Sequence, residues 1–157
     1  MAWTLNNRLF HAAIFISGLS ALIYQLIWVR LLGLVFGVSS FAVATVVAVF
    51  LLGLGLGSYF FGKWSERTDN PLRIYMFVEI GIAVASVASY LVIEHLPVYR
   101  YLYEFSYNNL DLYGLSVVRL LLSVVVLLPP VFLIGGTMPL VTKYAVTVPA
   151  TLGSGFS

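Results

Sequence analysis

Charged side chains are so widely spaced in this sequence that long stretches of backbone have no reason to stay in water. Between Arg8 and Arg30 the chain runs from Leu9 to Val29 without a charge, and it does so again from Leu31 to Gly62. A helix of about 20 apolar residues crosses the hydrocarbon core of a bilayer, where the backbone must satisfy its own hydrogen bonds. The first run fits one crossing. The second would extend about 48 Å as a single helix, more than a crossing needs. A turn near Gly37-Val38-Ser39-Ser40 therefore divides it, and a second span runs from about Phe41 to Phe61. A third is Ile74–Ile93, interrupted only by Glu79, and a fourth is Leu120–Thr142, between Arg119 and Lys143. The expected fold is all-α, a polytopic membrane helix bundle forming one transmembrane domain over residues 1–157.

Composition removes several alternatives. Hydrophobic residues make up 61% of the chain and charged ones 9%, against roughly 25% charged in soluble domains. Eight Lys and Arg against six Asp and Glu leave no basic field to hold nucleic acid. The absence of cysteine removes disulfides and thiolate ligands. His11 and His95 lie far apart in the sequence, so neither a metal nor another cofactor is expected. Met1–Ala21 has the charge and apolar run of a signal peptide, but the run continues through Leu22–Val29, so a retained membrane helix is expected.

Orientation follows from the basic residues, which stay on the cytoplasmic side near span ends. Lys63, Arg67 and Arg73 cluster between spans two and three. That segment is expected in the cytoplasm with Arg8, Lys143 and both termini, which leaves Arg30, Arg100 and Arg119 at the outer side. Tyr99, Tyr101, Tyr103, Tyr107 and Tyr113 fall between spans three and four. Tyrosine favours the headgroup level, so this segment is expected to lie along the outer interface as an anchor, with a gating lid as the alternative.

Helices in lipid associate through small residues and interhelical hydrogen bonds. On span one, Ser17, Ala21, Tyr24, Gln25 and Trp28 share a side expected to face protein, and Leu19, Leu22, Ile23 and Leu26 share the lipid side. Span two carries Ala44, Ala48, Gly55 and Gly62 on one side and Ala42, Gly53 and Gly57 on the other, which makes it the expected central helix. Gly53 and Gly57 have the spacing that lets two backbones touch. The string Gly53-Leu54-Gly55-Leu56-Gly57 has no preceding strand, so packing is expected rather than a phosphate loop.

Polarity inside the spans is sparse, and the candidates are Gln25, Arg30, Glu79 and Thr137. Tyr75, Glu79, Ala83, Ser86 and Tyr90 form a stripe on span three. A carboxyl at the depth of Glu79 must face the bundle interior and find a partner. Its plainer role is a hydrogen bond that fixes packing, and its sharper one is a proton or cation site. Pro129-Pro130 and Gly135-Gly136-Thr137-Met138-Pro139 are expected to kink or break span four and free carbonyls near mid-membrane. Thr137, Glu79 and Ser17 fall at similar depth and could meet.

Ser17-Gly18-Leu19-Ser20-Ala21-Leu22-Ile23-Tyr24-Gln25-Leu26-Ile27-Trp28-Val29-Arg30, then Phe50 through Ser58, and Leu128-Pro129-Pro130 through Gly136-Thr137-Met138-Pro139-Leu140 form an ordered set. It resembles the membrane region of fused spermidine synthase-like bacterial proteins, over nearly the whole chain. That resemblance implies a bacterial inner membrane location and, in the relatives, a soluble aminopropyltransferase-like domain whose glycine motif and acidic catalytic residues have no counterpart here. The ending Ala150–Ser157 reads as the approach to a further helix, so the chain is either a piece of a longer product or a short relative. The expected function is a non-catalytic structural or accessory module, partnered by lipid and by other membrane subunits or further copies of itself. The alternative is a transport element for protons, a small cation or a polyamine, along Glu79 and a broken fourth helix.

Overall fold

The uncharged runs are all helical in the computed structural model, which describes residues 2–36, 40–68, 70–95 and 97–153, with side chains from Ala12 to Val146 apart from a few at the helix junctions. Helix α1 is Ala2–Phe36, α2 Ser40–Ser65, α3 Pro71–His95, α4 Pro97–Asn109 and α5 Leu112–Gly153. All but α4 are long and apolar enough to cross a membrane, and no strand occurs among the described residues. The expected turn at 37–39 and the side chains of Arg8, Ala42 and Tyr99 lie outside what is described.

The expectation of a broken fourth span is overturned. Helix α5 runs unbroken through Pro129, Pro130 and Pro139, and on through Ala150 to Gly153. A proline withholds the N–H that would meet the carbonyl four residues earlier, so Pro130 deprives Val126 of its donor. Ser89 of α3 supplies the replacement: its Oγ stands 2.7 Å from the Val126 carbonyl and 2.8 Å from that of Ala85, its one hydrogen shared between the two. Neighbouring helices can re-satisfy a proline-freed carbonyl in this way and keep the helix intact.

Helix α5, not α2, is the central element, packed most extensively against α2 and then α3, and touching α1 and α4 as well. The physical reason is a ribbon of small residues on α5 that meets its counterpart on α2. A Cβ on Gly57 would collide with the Phe132 carbonyl oxygen and lie 3.2 Å from Gly135 Cα, and one on Gly135 would collide with the backbone of Leu54. Gly53 lies against the Val131 side chain, where a Cβ would sit 2.9 Å from Cγ1, and Gly136 faces the Phe61 ring. The pairings advance together along both helices, so α2 and α5 run parallel. Helix α3 is antiparallel to α5, since Gly81 faces Leu133 and Ser89 faces Val126.

Three of the expected packing residues are elsewhere. Ala44, Ala48 and Gly55 are exposed, and a Cβ on Gly55 would meet nothing within 4 Å. They fall on the side of α2 turned from α5, where small size brings no contact. On α1, Leu19, Leu22, Ile23 and Leu26 are exposed, while Trp28, Leu32 and Phe36 are buried in the core. The fully buried side chains of α1 therefore lie in its C-terminal half.

Candidate functional site

The N-terminal half of the α1 span stands over α3 and α5 without closing onto them, leaving a cleft of about 480 Å³. Glu79 reaches it from α3, Ser17, Ser20 and Tyr24 from α1, Ser58 from α2, and Thr137 from α5. Glu79, Ser17 and Thr137, which sequence depth placed at one level, thus line one cavity. Glu79 is half-buried, and Ser17 Oγ donates to its Oε1 at 2.5 Å. Tyr75, one turn before Glu79 on α3, holds its phenol beside both groups.

Several hydrogens on this surface are already committed. Thr137 Oγ1 donates to the Ile134 carbonyl at 2.8 Å, and Ser20 Oγ donates to that of Ile16 at 2.8 Å. A hydroxyl that has spent its single hydrogen offers only lone pairs. The cleft therefore gathers a carboxyl and hydroxyl oxygens that act as acceptors. That donor set suits a cation or a ligand bearing N–H or O–H groups.

Other sequence candidates stand apart. Gln25 is half-buried and Arg30 exposed on α1, and neither lines the cleft. The α3 stripe is corrected at its far end: Tyr90 is 44% exposed and Ala83 is also exposed, while the buried face runs through Tyr75, Val78, Ile82, Ser86, Ser89 and Ile93. No group of three or more acidic, His or Cys side chains able to hold a metal occurs among the described residues.

Two positions that bond across helices escaped the sequence reading. Arg119, expected at the outer interface, is 6% exposed. Its Nη2 donates to the Phe36 carbonyl at 3.1 Å and to Tyr103 Oη at 2.9 Å. Tyr103, expected among the anchors, is also buried and donates its own hydroxyl hydrogen to the same Phe36 carbonyl at 2.9 Å. A cation and a hydroxyl thus meet the end of α1, where the helix dipole is negative and the last carbonyls lack partners. Tyr101, Tyr107 and Tyr113 remain exposed, as an interfacial belt requires. Ser89, the second omission, was legible only as a polar residue one turn from Ser86.

These features define a multi-pass helical membrane protein with a polar cleft inside its bundle. No family model, curated protein or solved structure matches the chain.

Proposed function

We propose that this chain is a transport element whose cleft takes up a proton or a small cation, an organic amine included, at Glu79. The observation that carries the proposal is the convergence of the Glu79 carboxyl with committed hydroxyls in one intramembrane cavity. Ionisable groups at that depth are expensive and mark ion and proton paths. The volume of about 480 Å³ is many times the roughly 30 Å³ that one water occupies, so a hydrated ion or a short amine has room. The basic cluster Lys63, Arg67 and Arg73 supports an orientation with both termini in the cytoplasm of a bacterial plasma membrane. Lys143 supports it further, because it borders the same recess as Gly62, Ser65 and Glu66.

Reconstitution of the chain into proteoliposomes, with a pH-sensitive dye inside and labelled putrescine or sodium outside, tests this reading. Uptake or proton flux above empty vesicles is expected. It should disappear in Glu79→Gln, which keeps shape and hydrogen bonding but removes the charge. Absence of flux in the unaltered chain, or equal flux in a well-assembled Glu79→Gln variant, would overturn the reading.

A second reading, the non-catalytic accessory role implied by the likeness to spermidine synthase-like membrane regions, draws on α1. Phe15, Ile16, Leu22 and Leu26 are exposed along it, a face that another membrane subunit or a second copy could cover. On that reading Glu79→Gln leaves assembly and function intact. Glu79→Leu weakens the bundle by about 1–3 kcal/mol, because Ser17 loses its acceptor.

A further inference from the structure

A different site occupies the end of α2 remote from the Arg119 cluster. Lys63 and Arg67 lie four residues apart at the close of that helix, bordering a recess of about 710 Å³. Its walls are aromatic. Tyr59, Phe60 and Trp64 come from α2, and Phe132 comes from α5, with the Phe60 and Phe132 rings 6.0 Å apart. Lys63 Nζ stands 5.8 Å from the Tyr59 ring centroid, so a cation–π contact holds the ammonium at the recess rather than free in solvent. No carboxylate is among the described residues that line it. Glu66 borders the neighbouring recess with Lys143 instead.

We infer that this recess is a binding site for an anionic phospholipid. Two cations at the membrane boundary offer a phosphate its charge partners, and a basic pocket at the end of a bundle selects acidic headgroups over zwitterionic ones. Below them Phe60, Leu56 and Leu52, spaced four residues apart and all exposed, continue along one side of α2 for about 12 Å, an apolar track that an acyl chain can follow. A soluble anion would use the cations and leave that track empty. A lipid uses both. The site shares no residue with the Glu79 cleft, so it stands or falls independently of the transport reading.

Native mass spectrometry of the detergent-purified full chain tests the inference, with dioleoylphosphatidylglycerol and dioleoylphosphatidylcholine added at equal concentration. The anionic phosphatidylglycerol is expected to be retained about tenfold better. The Lys63→Gln/Arg67→Gln double variant should lose that preference, whereas Lys63→Arg/Arg67→Lys and Lys143→Gln should keep it. The charge-retaining variant separates a lost site from a lost fold. Millimolar inorganic phosphate should leave the bound lipid in place. Equal retention of the two lipids by the unaltered chain, a preference that survives the double Gln variant, or displacement by phosphate would each overturn the inference.

Discussion

The two sides of α5 are built differently. Towards α2, backbones meet with no side chain between them at Gly57 and Gly135, and Gly53 admits the Val131 side chain. Towards α1, the same helix faces a cavity lined by Ser17, Glu79 and Thr137. Both neighbours carry glycine, yet a Cβ on Gly18 or Gly33 of α1 would meet nothing within 4 Å. Small residues permit close approach without enforcing it. Backbone contact follows where the two helices bring such residues to matching heights, as Gly57 and Gly135 do. In lipid, with little hydrophobic drive to pull helices together, that difference separates a dry seam from an open cleft.

The largest effect should come from breaking the seam. Gly57→Val places a branched side chain where a single Cβ already collides with Phe132, so a loss of more than about 4 kcal/mol is expected, or no folded protein. Unfolding in mixed detergent–SDS micelles would measure it. A stable Gly57→Val variant would show that the α2–α5 contact is not the structural backbone of the bundle.

Next is the pin that holds α1 while its other half stands off. Arg119→Gln removes a charged donor from the Phe36 carbonyl and from Tyr103, at a cost of about 1.5–3 kcal/mol. Because α1 is anchored at this end, hydrogen exchange there should accelerate more than in α2. Uniform acceleration would contradict the pin.

Ser89→Ala should cost about 1 kcal/mol, since the Val126 carbonyl loses its donor while measured interhelical hydrogen bonds in membranes are modest. The same unfolding assay applies, and a proline-induced disorder of α5 in this variant would appear as faster exchange near Val126. The smallest effect is the control two residues from Gly57. Gly55→Ala should be neutral or stabilise by up to about 1 kcal/mol, because alanine favours helix and the site is open. A large loss at Gly55 would mean that its face is covered in the membrane by another chain.

Much of this architecture could be read from the sequence because a bilayer leaves few options. Runs such as Leu9–Val29 had to become helices, and their number followed from the charges between them. The exposed side of α1 was legible from Leu19, Leu22, Ile23 and Leu26, and depth placed Ser17, Glu79 and Thr137 on one cleft, where Ser17 and Glu79 are bonded. Depth, however, is a coordinate along one helix. It gives no information on which neighbour a side chain meets. Ala44, Ala48 and Gly55 were therefore assigned to packing faces within this bundle that they do not occupy, and the burial of Arg119 against Phe36 and Tyr103 was not foreseen.

The sequence by itself determined that this chain lies in a membrane, how many helices cross it and roughly where each begins, since those follow from transfer of apolar residues and from backbone hydrogen bonding within one segment. Tertiary structure alone decided that α5 is central, that two consecutive prolines leave it whole, and that one arginine closes the end of a helix distant in sequence. Each of those depends on a group from another helix arriving at bonding distance: Gly57 against Phe132, Ser89 beneath Val126, Arg119 at Phe36. A partner of that kind has no signature in the local pattern of the residue it satisfies.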